Sequence, residues 1–467
     1  MERFEALGEI ARENNEIRPY CYQRYNVKDG LRNPDGSGVL VGLTTISAVV
    51  GYQKVDEEIV PVHGRLKYRG HDVGELVQGY RSAGRHGFEE TVYLLLFGQL
   101  PTDDERAWFE ETLGAMRSLP KNFARDVLQT FRTPDIMNGL ARSVLTLYSI
   151  DEAPEDLSLG NQVRQAMEMV ARVGTLVAHA YYSIRHGFHG DSLIIHRPDP
   201  ALGTAQNFLR LLRPNKSFTD LEARVLDTSL VLHADHGGGN NSTFSTRVVS
   251  STLTDTYSAL GAAVGSLKGP LHGGANIRVV QMMDDMKARL GPRPTRDSVR
   301  AYLMEVLAGK AFDGNGKIYG LGHAVYTLSD PRAVILKEEA RTLATATGRE
   351  DDFALFEIVE ELAPDALRDF KNNPDAAISV NVDFYSGFVY DSLAIPREVF
   401  TPLFAVGRMA GWTSHRIEML TNRVKLMRPA YKTVEENCRP RPNKECEDCG
   451  RKNIDRSARV TSAAAGS

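Results

Sequence analysis

VRQAMEMVARVGTLVAHAY, residues 163–181, decides the fold class of this chain. Val163, Met167, Val170, Gly174, Val177 and Tyr181 recur at i, i+4, i+7, i+11, i+14 and i+18, a single stripe along a helix. The same period extends outward. Thr219-Asp220-Leu221-Glu222 is a capping box that opens a helix running toward Leu232. Val299, Tyr302, Leu303, Val306 and Leu307 share one helical face, with Gly309 just beyond the end. Ser258 to Leu267 is rich in Gly and Ala, which suits a buried helix in close contact with a neighbour. Strand signals are few; Ile59 to Tyr68 reads as a short hairpin or ribbon. Strands and helices do not alternate, so a parallel α/β sheet is rejected. The expectation is a mainly α fold with minimal β and a large and a small domain.

Composition bounds the function. The chain has 467 residues, 42% hydrophobic and 25% charged, enough to bury a sizeable core without staples. Its 56 Lys and Arg against 60 Asp and Glu give a net charge of −4, which argues against a general nucleic-acid binder. Any anion must then be held by locally gathered cations. The cysteines, Cys21, Cys438, Cys446 and Cys449, are too few for a disulfide framework and fit a reducing compartment. The N-terminus is acidic and lacks the apolar core of a signal peptide, and no run of 18 apolar residues exists. A cytoplasmic location with no membrane or nucleic-acid partner is expected. The C-x7-C-x2-C pattern at 438–449 lacks a fourth zinc ligand, and residues 438–467 read as a disordered tail.

Several polar residues sit in settings that suit chemistry. His233 and His236 lie in Leu232-His233-Ala234-Asp235-His236, ahead of three glycines. His272 lies in Gly269-Pro270-Leu271-His272-Gly273-Gly274, and His323 in Gly320-Leu321-Gly322-His323. Flanking glycine lets backbone and ligand approach closely. Each histidine alone reads better as a turn residue, but three such settings in one chain point to a site. Asp383, in Asn381-Val382-Asp383-Phe384-Tyr385-Ser386-Gly387, stands near a helix N-cap, as a plain cap or as an ionised base. Arg332 follows Pro331 at a helix start, where a guanidinium can be solvated or aimed at an anion. Arg408 shares a stripe with Phe404 and Trp412, where it must snorkel or pair. Arg428 precedes Pro429 and says little alone.

As a set, LHADH (232–236), STFSTRVVSSTLTDTYSAL (242–260), GPLHGGAN (269–276), GLGHAVYTLSDPRA (320–333), NVDFYSG (381–387) and GRMAGW (407–412) resemble citrate synthases in order and spacing, over roughly residues 40–435. The resemblance implies a helical homodimer that condenses acetyl-CoA with oxaloacetate, without a cofactor. It implies a discontinuous large domain at 1–272 and 389–437 and a small domain at 273–388. Carried over by motif, Asp383 would remove the methyl proton, His272 would donate to the enol oxygen and His323 would polarise the ketone. His236, Arg332 and Arg408 would hold the oxaloacetate carboxylates, and Arg428 would reach the partner's site.

Many family members carry a basic residue four positions after the GH-x-VY histidine, toward the CoA phosphates. Here that position is Thr327, and Ala324 follows the histidine. Three other readings stay open: a 2-methylcitrate synthase using propionyl-CoA, a metal enzyme with His236, His272, His323 and Asp383 as ligands, and a non-catalytic scaffold.

Overall fold

The computed structural model describes residues 2–434 except Arg18, Pro34, Asp56, Glu57, Arg423 and Val424. The expected tail at 438–467, with Cys438, Cys446 and Cys449, lies outside the described residues. The chain divides into two compact units. One runs from Gly42 to Met427 and carries the motifs. The other combines the segment before Gly42, with helices Glu2–Asn15 and Pro19–Arg24, and the segment from Arg428 onward. In it Lys432 Nζ stands 5.7 Å from the Tyr25 ring centre.

The larger unit is helical, as the periodicity requires. Its helices include α1 (Leu159–His189), α2 (Asp220–His233), α3 (Asn241–Ser250), α4 (Thr256–Lys268), α5 (Ala275–Leu290), α6 (Arg296–Leu307), α7 (Pro331–Thr347), α8 (Glu350–Lys371), α9 (Val382–Ser392) and α10 (Phe400–Thr421). The stripe of residues 163–181 lies inside α1, and Thr219 with Glu222 forms the expected capping box of α2. None of the described helices is long and apolar enough to cross a membrane.

At the centre lies α10, buried along nearly its whole length, with Trp412 fully enclosed. A helix apolar on all sides belongs in a core. It packs on α1, α2, α3 and α4. Yet it also carries Arg408, His415 and Arg416 into that core. Helices α5 to α9 extend the same core, and there the Phe356 ring lies 5.1 Å from both Phe384 and Phe388.

The β content exceeds the ribbon read from sequence. Strand β1 (Ser47–Val55) pairs antiparallel with β2 (Glu58–Tyr68), and β2 with β3 (His71–Asp72). The expected segment begins at Ile59, so it captured β2 and missed β1. A register shift between Val50 and Tyr52 marks a bulge at Gly51. A Cβ at Gly51 would stand 2.3 Å from the Val325 carbonyl oxygen, and one at Gly64 2.2 Å from that of Ser329. The ribbon therefore packs, backbone to backbone, on the segment that follows His323. The Gly64 amide donates to the Ser329 carbonyl at 3.1 Å.

Candidate active site

Arg408 places a cation inside the core. It is fully buried on α10, and its Nε donates to the His233 carbonyl at 2.7 Å. Both terminal nitrogens are buried and have no partner. Burial pulls the guanidinium down to about 10, against the opposing pull of Asp235. An uncompensated buried cation costs free energy unless an anion completes it.

Arg332 is arranged differently from the free guanidinium read at its position. It too is buried, but Nε and Nη2 fork onto Asp330 at 3.0 and 2.7 Å. The Asp330 carboxylate also caps α7 through the Arg332 amide at 3.0 Å and receives the Val382 amide at 3.1 Å. That pairing engages Nε and Nη2 of Arg332.

The histidines converge between these arginines. The His236 ring lies edge-on to His323, 5.0 Å between centres, and 5.4 Å from Tyr326. Its Nε2 is buried without a partner. Burial, then Arg332, His323, Arg408 and His272, hold this imidazole neutral, well below its usual range. His323 stacks on Tyr326 at 4.7 Å, and its Nδ1 accepts the amides of Val325 at 3.0 Å and Tyr326 at 3.1 Å. Two amide donors on one nitrogen put the ring proton on Nε2. His272 follows the end of α4, with Nε2 3.1 Å from the Ser242 hydroxyl, which also receives the Trp412 indole N–H at 3.1 Å. Burial lowers His272 to about 4, helped by Arg408.

Asp383 is not the cap of its helix. Asn381 fills that position, and its Oδ1 accepts the Asp383 amide at 3.0 Å. The Asp383 carboxylate is thereby left free, and among the described residues it accepts no hydrogen bond. Burial pushes it up to about 6, against the pull of Arg332. The Asn381 amide group also donates to the Gly322 carbonyl at 2.8 Å, while the Gly322 amide meets Ser379 at 2.8 Å. These bonds join the start of α9 to the loop that holds His323.

Seven of the eight residues singled out from sequence thus lie in the larger unit, and mutual electrostatics ties them together. Arg428 belongs to the other unit. Sequence reasoning missed Asp330, Asn381 and Ser242 as site residues. Pro331 did signal a helix start, but not that Asp330 would cap it and clamp the next arginine. Thr327, which stands where many family members carry a base, has a buried hydroxyl with no hydrogen-bond partner among the described residues. Among the described residues, no three His, Cys, Asp or Glu side chains could together hold a metal ion.

The model of the citrate synthase C-terminal domain family matches residues 35–430. The chain is 37% identical to a Synechocystis citrate synthase over 360 residues, 77% of this chain and 82% of that one. It is 33% identical to a Shewanella oneidensis 2-methylcitrate synthase, over 78% of this chain and 88% of the relative. A Thermoplasma acidophilum citrate synthase, solved as a ternary complex with carboxymethyl coenzyme A and oxaloacetate, superposes with a TM-score of 0.71 at 26% identity, covering 90% and 98% of the two chains. With a match that spans most of its length, this chain belongs to the citrate synthase family.

Proposed function

We propose that this protein joins acetyl-CoA to oxaloacetate and hydrolyses the citryl-CoA formed, releasing citrate and CoA. The observation that carries this reading is Arg408, whose two buried, unpartnered nitrogens call for an anion beside His236 and Arg332. A dicarboxylate meets that demand. Arg408 and Arg332 take its carboxylates with His236, which fixes the orientation of the ketone.

Chemistry then needs one base and two donors. A thioester methyl is a weak acid, so a carboxylate raised to about 6 is a better base than an ordinary one. Asp383 takes the methyl proton, and the charge moves to the thioester oxygen. For His272 Nδ1–H to meet that oxygen, the Ser242 hydroxyl, 2.9 Å from Asn240 Oδ1, turns its proton to His272 Nε2 at 3.1 Å. The new carbanion attacks the ketone carbon, forming the C–C bond. The ketone oxygen becomes an alkoxide, met by Nε2–H of His323. Water then cleaves the thioester.

The working unit is a homodimer in the cytoplasm, with Arg428 reaching the partner's site. No cofactor enters the reaction. A small domain at 273–388 closes on the segments 1–272 and 389–437, which excludes water until the C–C bond has formed.

A thiol-release assay tests this. CoA should appear only when acetyl-CoA and oxaloacetate are both present. Release without oxaloacetate, or none with both, sinks the reading. The second reading, 2-methylcitrate synthesis, draws support from the Shewanella relative. One methylene shifts discrimination by about 1–3 kcal/mol, so propionyl-CoA assayed in parallel decides between them.

A further inference from the structure

Helix α10 meets the HADH turn at three consecutive points. Arg408 Nε donates to the His233 carbonyl at 2.7 Å, the Gly411 amide to the Ala234 carbonyl at 3.0 Å, and His415 Nε2 lies 3.2 Å from Oδ2 of Asp235. Positions 408, 411 and 415 are one helical face, and 233, 234 and 235 are successive residues. Only glycine allows the middle contact, because a Cβ at Gly411 would stand 2.3 Å from Oδ1 of Asp235.

Asp235 is held from other directions as well. The Ser47 hydroxyl of β1 donates to the same Oδ2, and the Gly237 amide joins it at 3.0 Å. Both Asp235 and the His415 side chain are fully enclosed. The direction of the histidine bond follows from its far side. Arg247 Nη1 lies 3.0 Å from His415 Nδ1, and a guanidinium can only donate. Nδ1 therefore accepts, and the proton sits on Nε2, facing Asp235. Arg247 in turn pairs with Glu418 at 2.8 Å, and Glu418 accepts the Thr45 amide at 2.6 Å. Nothing in this network forms a cap or fills a core in the ordinary way. It connects one carboxylate to the strand before the site and to the helix beneath it.

We propose that Asp235, clamped between His415 and Ser47, is a positioning residue that sets His236 against Arg408 so that both reach the dicarboxylate in one register. The inference rests on the reading of His236 and Arg408 as holders of oxaloacetate. Asp235 itself is not a ligand contact; it fixes the backbone from which His236 projects, while its partner His415 stands two turns along α10 from Arg408.

Steady-state kinetics on His415→Ala, His415→Gln and Ser47→Ala test it, with circular dichroism to confirm folding. His415→Ala should raise KM for oxaloacetate by about ten- to a hundredfold, as small displacements of a positioned group do. KM for acetyl-CoA should change by less than about twofold, because uniform loosening would move both. His415→Gln should recover most of the loss, since its amide can accept from Arg247 and donate to Asp235. Ser47→Ala should act in the same direction and decides the matter where His415→Ala does not fold. Arg408→Leu is the control. Should it leave oxaloacetate binding intact, the reading of the site has failed. Should it weaken binding while folded His415→Ala or Ser47→Ala does not, or should Gln rescue no better than Ala, the positioning role has failed.

Discussion

Asp330 grips Arg332 with both carboxylate oxygens, at 3.0 and 2.7 Å, and lends one of them to the Val382 amide. One buried carboxylate thus ties Arg332 to the start of the helix that carries Asp383. Asp330→Asn keeps the shape but leaves the Arg332 charge uncompensated. Breaking a buried pair from one side costs about 3–5 kcal/mol. Denaturant unfolding should show that loss, with kcat falling and KM for oxaloacetate rising together. A variant that loses stability alone would separate Asp330 from the chemistry.

Arg408 should behave in the opposite way. Arg408→Leu removes two unpartnered nitrogens from the core, relieving about 1–3 kcal/mol of desolvation. The variant without ligand should melt higher than the parent protein. It should also lose the upward shift in Tm that oxaloacetate gives the parent. Differential scanning calorimetry with and without oxaloacetate reads both effects.

The pH dependence of turnover should report Asp383. Its carboxyl sits at about 6, so kcat/KM should fall as pH drops through that value and level off above it. His272, at about 4, adds a second limb at lower pH. The stability sign is the reverse. A carboxyl raised above its ordinary value favours folding when protonated, and that contribution is lost as pH rises through about 6. Asp383→Asn should abolish the upper limb of activity while gaining stability relative to the parent at pH values above it.

Gly64→Ala should damage the site from a distance. The added Cβ meets the Ser329 carbonyl at 2.2 Å and the Tyr326 ring at 2.7 Å. Overpacking of that kind costs about 1–3 kcal/mol. Because the displaced segment holds His323, kcat should drop more than the stability loss explains. Chemical denaturation and kinetics on the same sample give the comparison.

Much of this was legible in one dimension, and the illegible part has a physical pattern. Helices announce themselves locally, so the stripe at 163–181 and the capping box at Thr219 appear where the residues place them. The flanking glycines and the helix start leave the motif histidines and Asp383 ambiguous one by one, and only the set of motifs singles them out. What escaped is long-range. Strand β1 becomes a strand only by pairing with β2, and its residues read weakly alone. Ser47 and His415 lie 188 and 180 residues from Asp235, and no spacing rule connects them. For Arg332 the readings are a solvated guanidinium or one aimed at an anion, and nothing in a helix-start pattern says that the cap Asp330 will also fork onto its neighbour. Asp383 stands near a cap, as expected, but the cap is Asn381, and a local pattern could not decide between a capping carboxylate and a free one.

The close approach of Gly64 to Ser329 also sets a schedule. The two residues are 265 positions apart, and a ribosome adding about 5–20 residues per second separates their synthesis by roughly 13–53 s. Through that interval the glycine face of the ribbon waits without its partner. The loop holding His323 can settle only once the later segment has emerged. The catalytic recess is thus among the last parts of this chain able to form, and nascent chains stopped short of Ser329 should have no affinity for oxaloacetate.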